Sequence, residues 1–204
     1  LRMALGLVTF RLLFQSLSPE QFGFWSLLWA IFGYGILLDF GLGYAAQKRV
    51  AELSVRKDWD QLSRVLSTIL CFHIVSAIVA ASIGFAFSDT LVDFFQVSPA
   101  NHDAFRHILQ VFLVGIGVAF PLGVFPEILQ GQQRITTANN VAMVSMLANF
   151  AVVATCVFFK LSFLTLVVLA LLCILIPYVS AAWLAMRHMP EVRIRFRNFS
   201  RAAL

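Results

Sequence analysis

From Gln21 to Leu38 the chain carries no charged residue; it then admits one acid, Asp39, and stays uncharged to Gln47 before Lys48 and Arg49 close the run. A helix needs about 20 apolar residues to cross the hydrocarbon core of a bilayer. This stretch is long enough, and it predicts a membrane span over 21–47 with an acid inside it. Ser18-Pro19-Glu20 marks its start, since proline suits a first helical turn. Phe22, Phe24, Trp25 and Trp29 gather at that end, as rings do at a membrane interface.

Other runs repeat the pattern. Spans are expected at 1–17 (short, and broken by Arg2 and Arg11), 21–47, 64–88, 104–130, 137–159 and 161–186, followed by a basic linker at 187–204. Only 12% of the chain is charged and 60% is hydrophobic, against roughly 25% charged for a soluble domain. The expected class is an all-α integral membrane protein built as a six-helix transmembrane bundle. Gly115, Ala119 and Gly123 recur every fourth residue and form a seam for close helix approach, and Pro121 and Pro126 should bend that span.

Charge orients the bundle. Lys48, Arg49, Arg56, Lys57, Arg64, Arg134, Arg187, Arg193, Arg195, Arg197 and Arg201 fall at one end, and only Arg106 and Lys160 at the other. By the positive-inside rule both chain ends are cytoplasmic. The net charge of +5 therefore answers a membrane face and calls for no nucleic acid partner. The tail alternates arginines with Val192, Ile194 and Phe196, which fits either an interfacial strand or a solvated linker, and Ser200 reads as a helix N-cap. Leu1 opens the chain without a methionine, so a fragment with a shortened first helix is expected.

Three segments carry a family likeness. The words LSPEQFGFWSLL (17–28) and LLDFGLGYAAQKRVAEL (37–53), with PLGVFPEILQGQQRITTANN (121–140), resemble the polysaccharide and O-antigen flippases. These belong to the multidrug/oligosaccharidyl-lipid/polysaccharide (MOP) exporter superfamily. The resemblance implies one lobe of a MATE-like two-lobed transporter in a bacterial inner membrane, with a second lobe missing from this chain. It implies an undecaprenyl-pyrophosphate-linked oligosaccharide as substrate, membrane lipid as surroundings, and no cofactor beyond a coupling proton or sodium ion. A drug/cation antiporter of the same superfamily and a non-transporting membrane scaffold are the alternatives.

Four ionisable residues are candidates, because such groups are costly inside a bilayer. Asp39 lies roughly 12 Å inside the basic end if the helix is continuous, with Gly35 and Gly43 a turn away on its face. His73 falls at about 15 Å, nearly the same depth. Together they suit a proton-binding pair; separately, Asp39 would pair with an interfacial base and His73 would bond a neighbouring helix. Glu127 shares a helical face with Arg134, which would neutralise it, or else it lines the pathway. Arg11 either faces a cavity, where it suits a pyrophosphate, or snorkels to the interface. Cys71, Cys156 and Cys173 lie in apolar runs without paired spacing and read as small buried hydrophobes. There is no Walker A loop, HExxH or GxSxG, and no room for a soluble catalytic domain, so an enzyme is not expected.

Overall fold

The computed structural model describes residues 2–37, 39–95 and 97–194. Among these the chain forms nine helices and no strand: α1 Arg2–Ser16, α2 Pro19–Leu37, α3 Leu42–Arg56, α4 Trp59–Ala86, α5 Ser88–Phe94, α6 His102–Leu122, α7 Val124–Gly131, α8 Ile135–Phe158 and α9 Phe163–Arg187. Among the described residues four segments are long and apolar enough to cross a membrane: Trp59–Ala86, His102–Gly131, Ile135–Phe158 and Phe163–Arg187. The chain is a multi-pass membrane protein. Met3–Ser16 is apolar but shorter.

The expected helix over 21–47 is not continuous. It breaks around Asp39, Phe40 and Gly41, and the last two take positive φ values of 48° and 78°. Gly41 and Gly43 favour helix weakly, and the short carboxylate of Asp39 competes for backbone N–H groups. The second half then runs on through Arg56 instead of stopping at Gln47. There Lys57 adopts a left-handed C-cap, its N–H reaching Leu53 and Ser54 carbonyls. Asp58 immediately caps α4, its side chain accepting from the Gln61 N–H at 3.0 Å. These two caps reduce the expected cytoplasmic loop to a tight turn, and α4 starts at Trp59 rather than near 64.

Proline shapes the other spans. The bend expected from Pro121 and Pro126 is the interruption at Gly123 between α6 and α7. Pro177 sits inside α9, where its missing N–H frees the carbonyl of Cys173. That carbonyl accepts the Ser145 hydroxyl from α8 at 2.6 Å, so the neighbouring helix supplies the lost partner.

Two apolar layers hold the bundle, one at each end. Leu13, Phe24, Leu28, Phe105, Leu109, Val153, Phe163 and Leu166 fill the first. Val50, Leu53, Leu62, Leu66, Ile128, Leu129, Ala181 and Ala185 fill the second, at the basic end. Phe24 and Trp25 are buried in the first layer, not spread along an interface; Phe24 meets Phe105 of α6 with ring centroids 4.6 Å apart, and Trp25 meets Trp29 at 5.5 Å. The small-residue seam of α6 faces α9. A Cβ at Gly115 would lie 2.7 Å from Leu171, and one at Gly123 would lie 3.6 Å from Tyr178.

The start of the tail is docked. Val192 is buried, and the Arg193 N–H donates to the Ser63 hydroxyl at 3.0 Å, tying it to the first turns of α4. The expected alternation at Arg195, Phe196 and Arg197, Arg201 and the Ser200 cap lie outside the described residues. Cys156 and Cys173 are buried, Cys71 is half-buried, and all three are free thiols.

Candidate functional site: a shared proton at a helix break

Where α2 gives way to α3, the first N–H groups of α3 lack intrahelical partners. Asp39 answers them. Its backbone carbonyl accepts from Leu42 N–H at 2.8 Å, and its carboxylate oxygens stand 3.1 and 3.2 Å from Gly43 N.

The same carboxylate reaches α4. His73 Nε2 lies 2.7 Å from Asp39 Oδ1, and His73 Nδ1 lies 2.9 Å from the Ile69 carbonyl. A carbonyl only accepts, so Nδ1 carries a hydrogen. The Nε2–Oδ1 contact then needs one further proton, held either by the imidazole or by the acid. Without it, a ring lone pair would face a carboxylate at hydrogen-bond distance. The pair is therefore built around a single exchangeable proton. His73 is 2% exposed, whereas the Asp39 side chain is 28% exposed, so access to that proton comes from the Asp39 side. Phe120 of α6 packs on the imidazole with ring centroids 5.0 Å apart, and Phe72 meets Phe40 of the break at 6.1 Å.

Glu127 joins them from α7. A Cβ built on Gly43 would stand 3.4 Å from Glu127 Cγ and 3.5 Å from either Asp39 oxygen, so both side chains converge on that glycine. The arrangement brings Asp39, His73 and Glu127 into one cluster of two acids and one imidazole. Arg134 is not in it. α7 ends at Gly131, and Arg134 becomes the exposed residue that precedes α8. Among the described residues no ion pair joins it to Glu127.

A cavity of about 610 Å³ opens beside the cluster between α1, α2, α8 and α9. Trp25, Trp29 and Phe150 supply ring faces, and Ser26, Asn149 and Tyr178 supply polar points. Among the described residues no charged side chain lines it. Tyr178 connects the two places, because its ring also lies against Gly123, one turn before Glu127. Arg11 does not line the cavity: Thr9, Phe10 and Leu13 do, and Arg11 is exposed on another face of α1. Sequence reasoning missed Ser145. Pro177 signals a freed carbonyl, but nothing in the sequence says which helix will meet it.

The MatE family model matches residues 3–155. The chain belongs to the MatE family. Among curated relatives, a putative O-antigen transporter of Shigella flexneri is 23% identical over 126 residues, which is 61% of this chain and 29% of that protein. Two solved structures share the fold at a TM-score of 0.78 and 18% identity. One is the outward-facing conformation of a multidrug resistance MATE family transporter of the MOP superfamily. The other is a MOP superfamily transporter from Pyrococcus furiosus Vc1 (DSM3638), whose binding pocket is of reverse polarity. Each match covers 98% of this MatE chain but 45% of the solved chain, so the chain spans under half the length of these relatives.

Proposed function

We propose that this MatE chain forms one lobe of a two-lobed transporter that flips a lipid-linked oligosaccharide across a bacterial inner membrane. In this reading α1, α2–α3, α4, α6–α7, α8 and α9 are six spans, two of them discontinuous, and the end bearing the α3–α4 turn is cytoplasmic. Asp39, His73 and Glu127 carry the coupling proton.

The Asp39–His73 contact at 2.7 Å is the observation that supports the reading, because it joins an acid and an imidazole at the break between α2 and α3. Broken helices near the midplane are where transporters place their substrate and ion sites. The pair is built around one exchangeable proton, which favours a proton over sodium as the coupling ion. The substrate reading has separate support. The curated relative is a putative O-antigen transporter, and the aromatic, uncharged cavity suits sugar rings. Arg11, exposed on α1 and outside that cavity, gives no support to a pyrophosphate contact there.

The cation-antiporter alternative draws on the multidrug relative and on the two clustered acids. It is disfavoured because the cavity itself presents no carboxylate to a cation. Reconstitution of the complete two-lobed protein in liposomes separates the readings. Labelled lipid-linked oligosaccharide should cross to the outer leaflet and a cationic dye should not be extruded. Dye extrusion without movement of the lipid-linked sugar would overturn the substrate proposal, and movement of neither would leave the scaffold reading standing.

A further inference from the structure

At the end of the bundle opposite the α3–α4 turn, a second cavity of about 500 Å³ lies between the ends of α1 and α8 and the starts of α2 and α9. Its character is the reverse of the first. Gln15 and Ser16 close α1, Gln21 belongs to the first turn of α2, Lys160 sits in the α8–α9 turn, and Ser162 caps α9. Among the described residues no carboxylate lines it. The nearest acid in sequence, Glu20, is committed elsewhere, accepting from the Ser98 N–H and the Asn101 amide.

The cavity is rich in donors. Gln15 and Gln21 each carry an amide NH₂, and the Gln21 carbonyl is already engaged by the Ser18 N–H at 3.2 Å, which leaves its NH₂ for another partner. Lys160 adds a charge and three donors, and among the described residues it forms no ion pair. The Ser162 hydroxyl is engaged with Thr165, accepting its N–H at 3.2 Å and meeting its hydroxyl at 2.8 Å, so the free donors of the cavity are those of Gln15, Gln21 and Lys160. Donors and positive charge therefore face a volume with no acid to answer them. Such a volume lies within the roughly 300–1,000 Å³ usual for ligand pockets.

We propose that this cavity binds a phosphate-bearing headgroup, with Lys160 as the charged contact and Gln15 and Gln21 as neutral donors. The site is independent of the direction of transport and of the Asp39–His73 proton. The phosphate could belong to a membrane lipid or to a soluble anion, and these are told apart by two probes.

The test measures binding of inorganic pyrophosphate and, separately, of short-chain phosphatidic acid to the complete protein in detergent. Lys160→Gly is the decisive variant. Lys160 holds a φ of 49°, where glycine is the easier residue, so this change removes the ammonium without straining the turn. It should weaken both probes about tenfold, the scale of one lost charge-assisted hydrogen bond, at unchanged Tm. Gln15→Ala should weaken them less, and Arg56→Ala, at the other end, should leave binding as it was. Binding of phosphatidic acid alone would assign the site to lipid; equal binding of pyrophosphate would show that the phosphate suffices. Wild-type affinity in Lys160→Gly, or no binding of either probe by the wild-type protein, would overturn the proposal.

Discussion

Asp39 serves two helices at once: its oxygens meet the start of α3 at Gly43 N, and one of them meets His73 on α4. The residue pairing was legible because helical rise puts both residues at one depth from the basic end. The break was not, since a depth count assumes the continuous helix that Gly41 and Asp39 interrupt. Arg11 shows the same limit from the other side. Its position on α1 could be read, but not its rotation, and it faces away from the aromatic cavity. Ser145 marks a partner that only tertiary structure reveals. Ser145→Ala should leave the Cys173 carbonyl unpaired and lower stability by about 0.6–2 kcal/mol, the usual range for interhelical bonds in membranes; chemical denaturation in micelles would measure it. Glu20, in the first turn of α2 and ahead of the uncharged run that begins at Gln21, supplies a pH test at the polar edge of that helix. The Ser98 backbone N–H, then the Asn101 amide, hold its carboxyl below the ordinary 4.5. A lowered folded value contributes stability above 4.5 that is lost as pH falls through it. Wild type should therefore melt above Glu20→Gln at pH 7, and the gap should close in acid below 4.5; a gap that widens there would contradict this contact.

Helix boundaries follow from caps, and caps explain which boundaries were legible. The starts of α8 and α9 lie close to expectation because the turns before them are polar and short. The α3–α4 connection is far shorter than the gap between the expected spans 21–47 and 64–88, because its two caps, Lys57 and Asp58, lie inside a charged stretch that composition alone assigns to solvent. Packing between elements is set by glycines whose spacing shows a seam but not its partner. Gly131 is the sharpest case. A Cβ there would stand 2.5 Å from the Gln47 carbonyl oxygen and 2.8 Å from Val50 Cβ, so α7 would have to part from α3. Because one obstacle is backbone, Gly131→Ala should cost about 1–3 kcal/mol, as overpacking does. Gly117→Ala is the control: its Cβ would meet only Ala81, at 3.9 Å, and it should melt like the wild type. Equal melting of the two variants would contradict the α3–α7 contact.

At the scale of the whole molecule, two apolar layers enclose a titratable cluster, and the chain presents most of its basic residues at one end. Composition alone made the membrane class legible, since 60% hydrophobic residues leave no aqueous alternative. Cysteines placed at 57 and 160 should react with impermeant reagent from opposite sides, position 57 from the cytoplasm; labelling of 160 from the cytoplasm would invert the proposed orientation. The central claim is that the proton shared by Asp39 and His73 drives transport. Asparagine keeps the size and hydrogen bonding of Asp39 but cannot titrate. The direct measurement is movement of labelled lipid-linked oligosaccharide in liposomes holding the complete protein, with and without an imposed pH gradient. The gradient should accelerate wild type and leave folded, inserted Asp39→Asn at its ungraded rate. Acceleration of Asp39→Asn equal to wild type would contradict the claim.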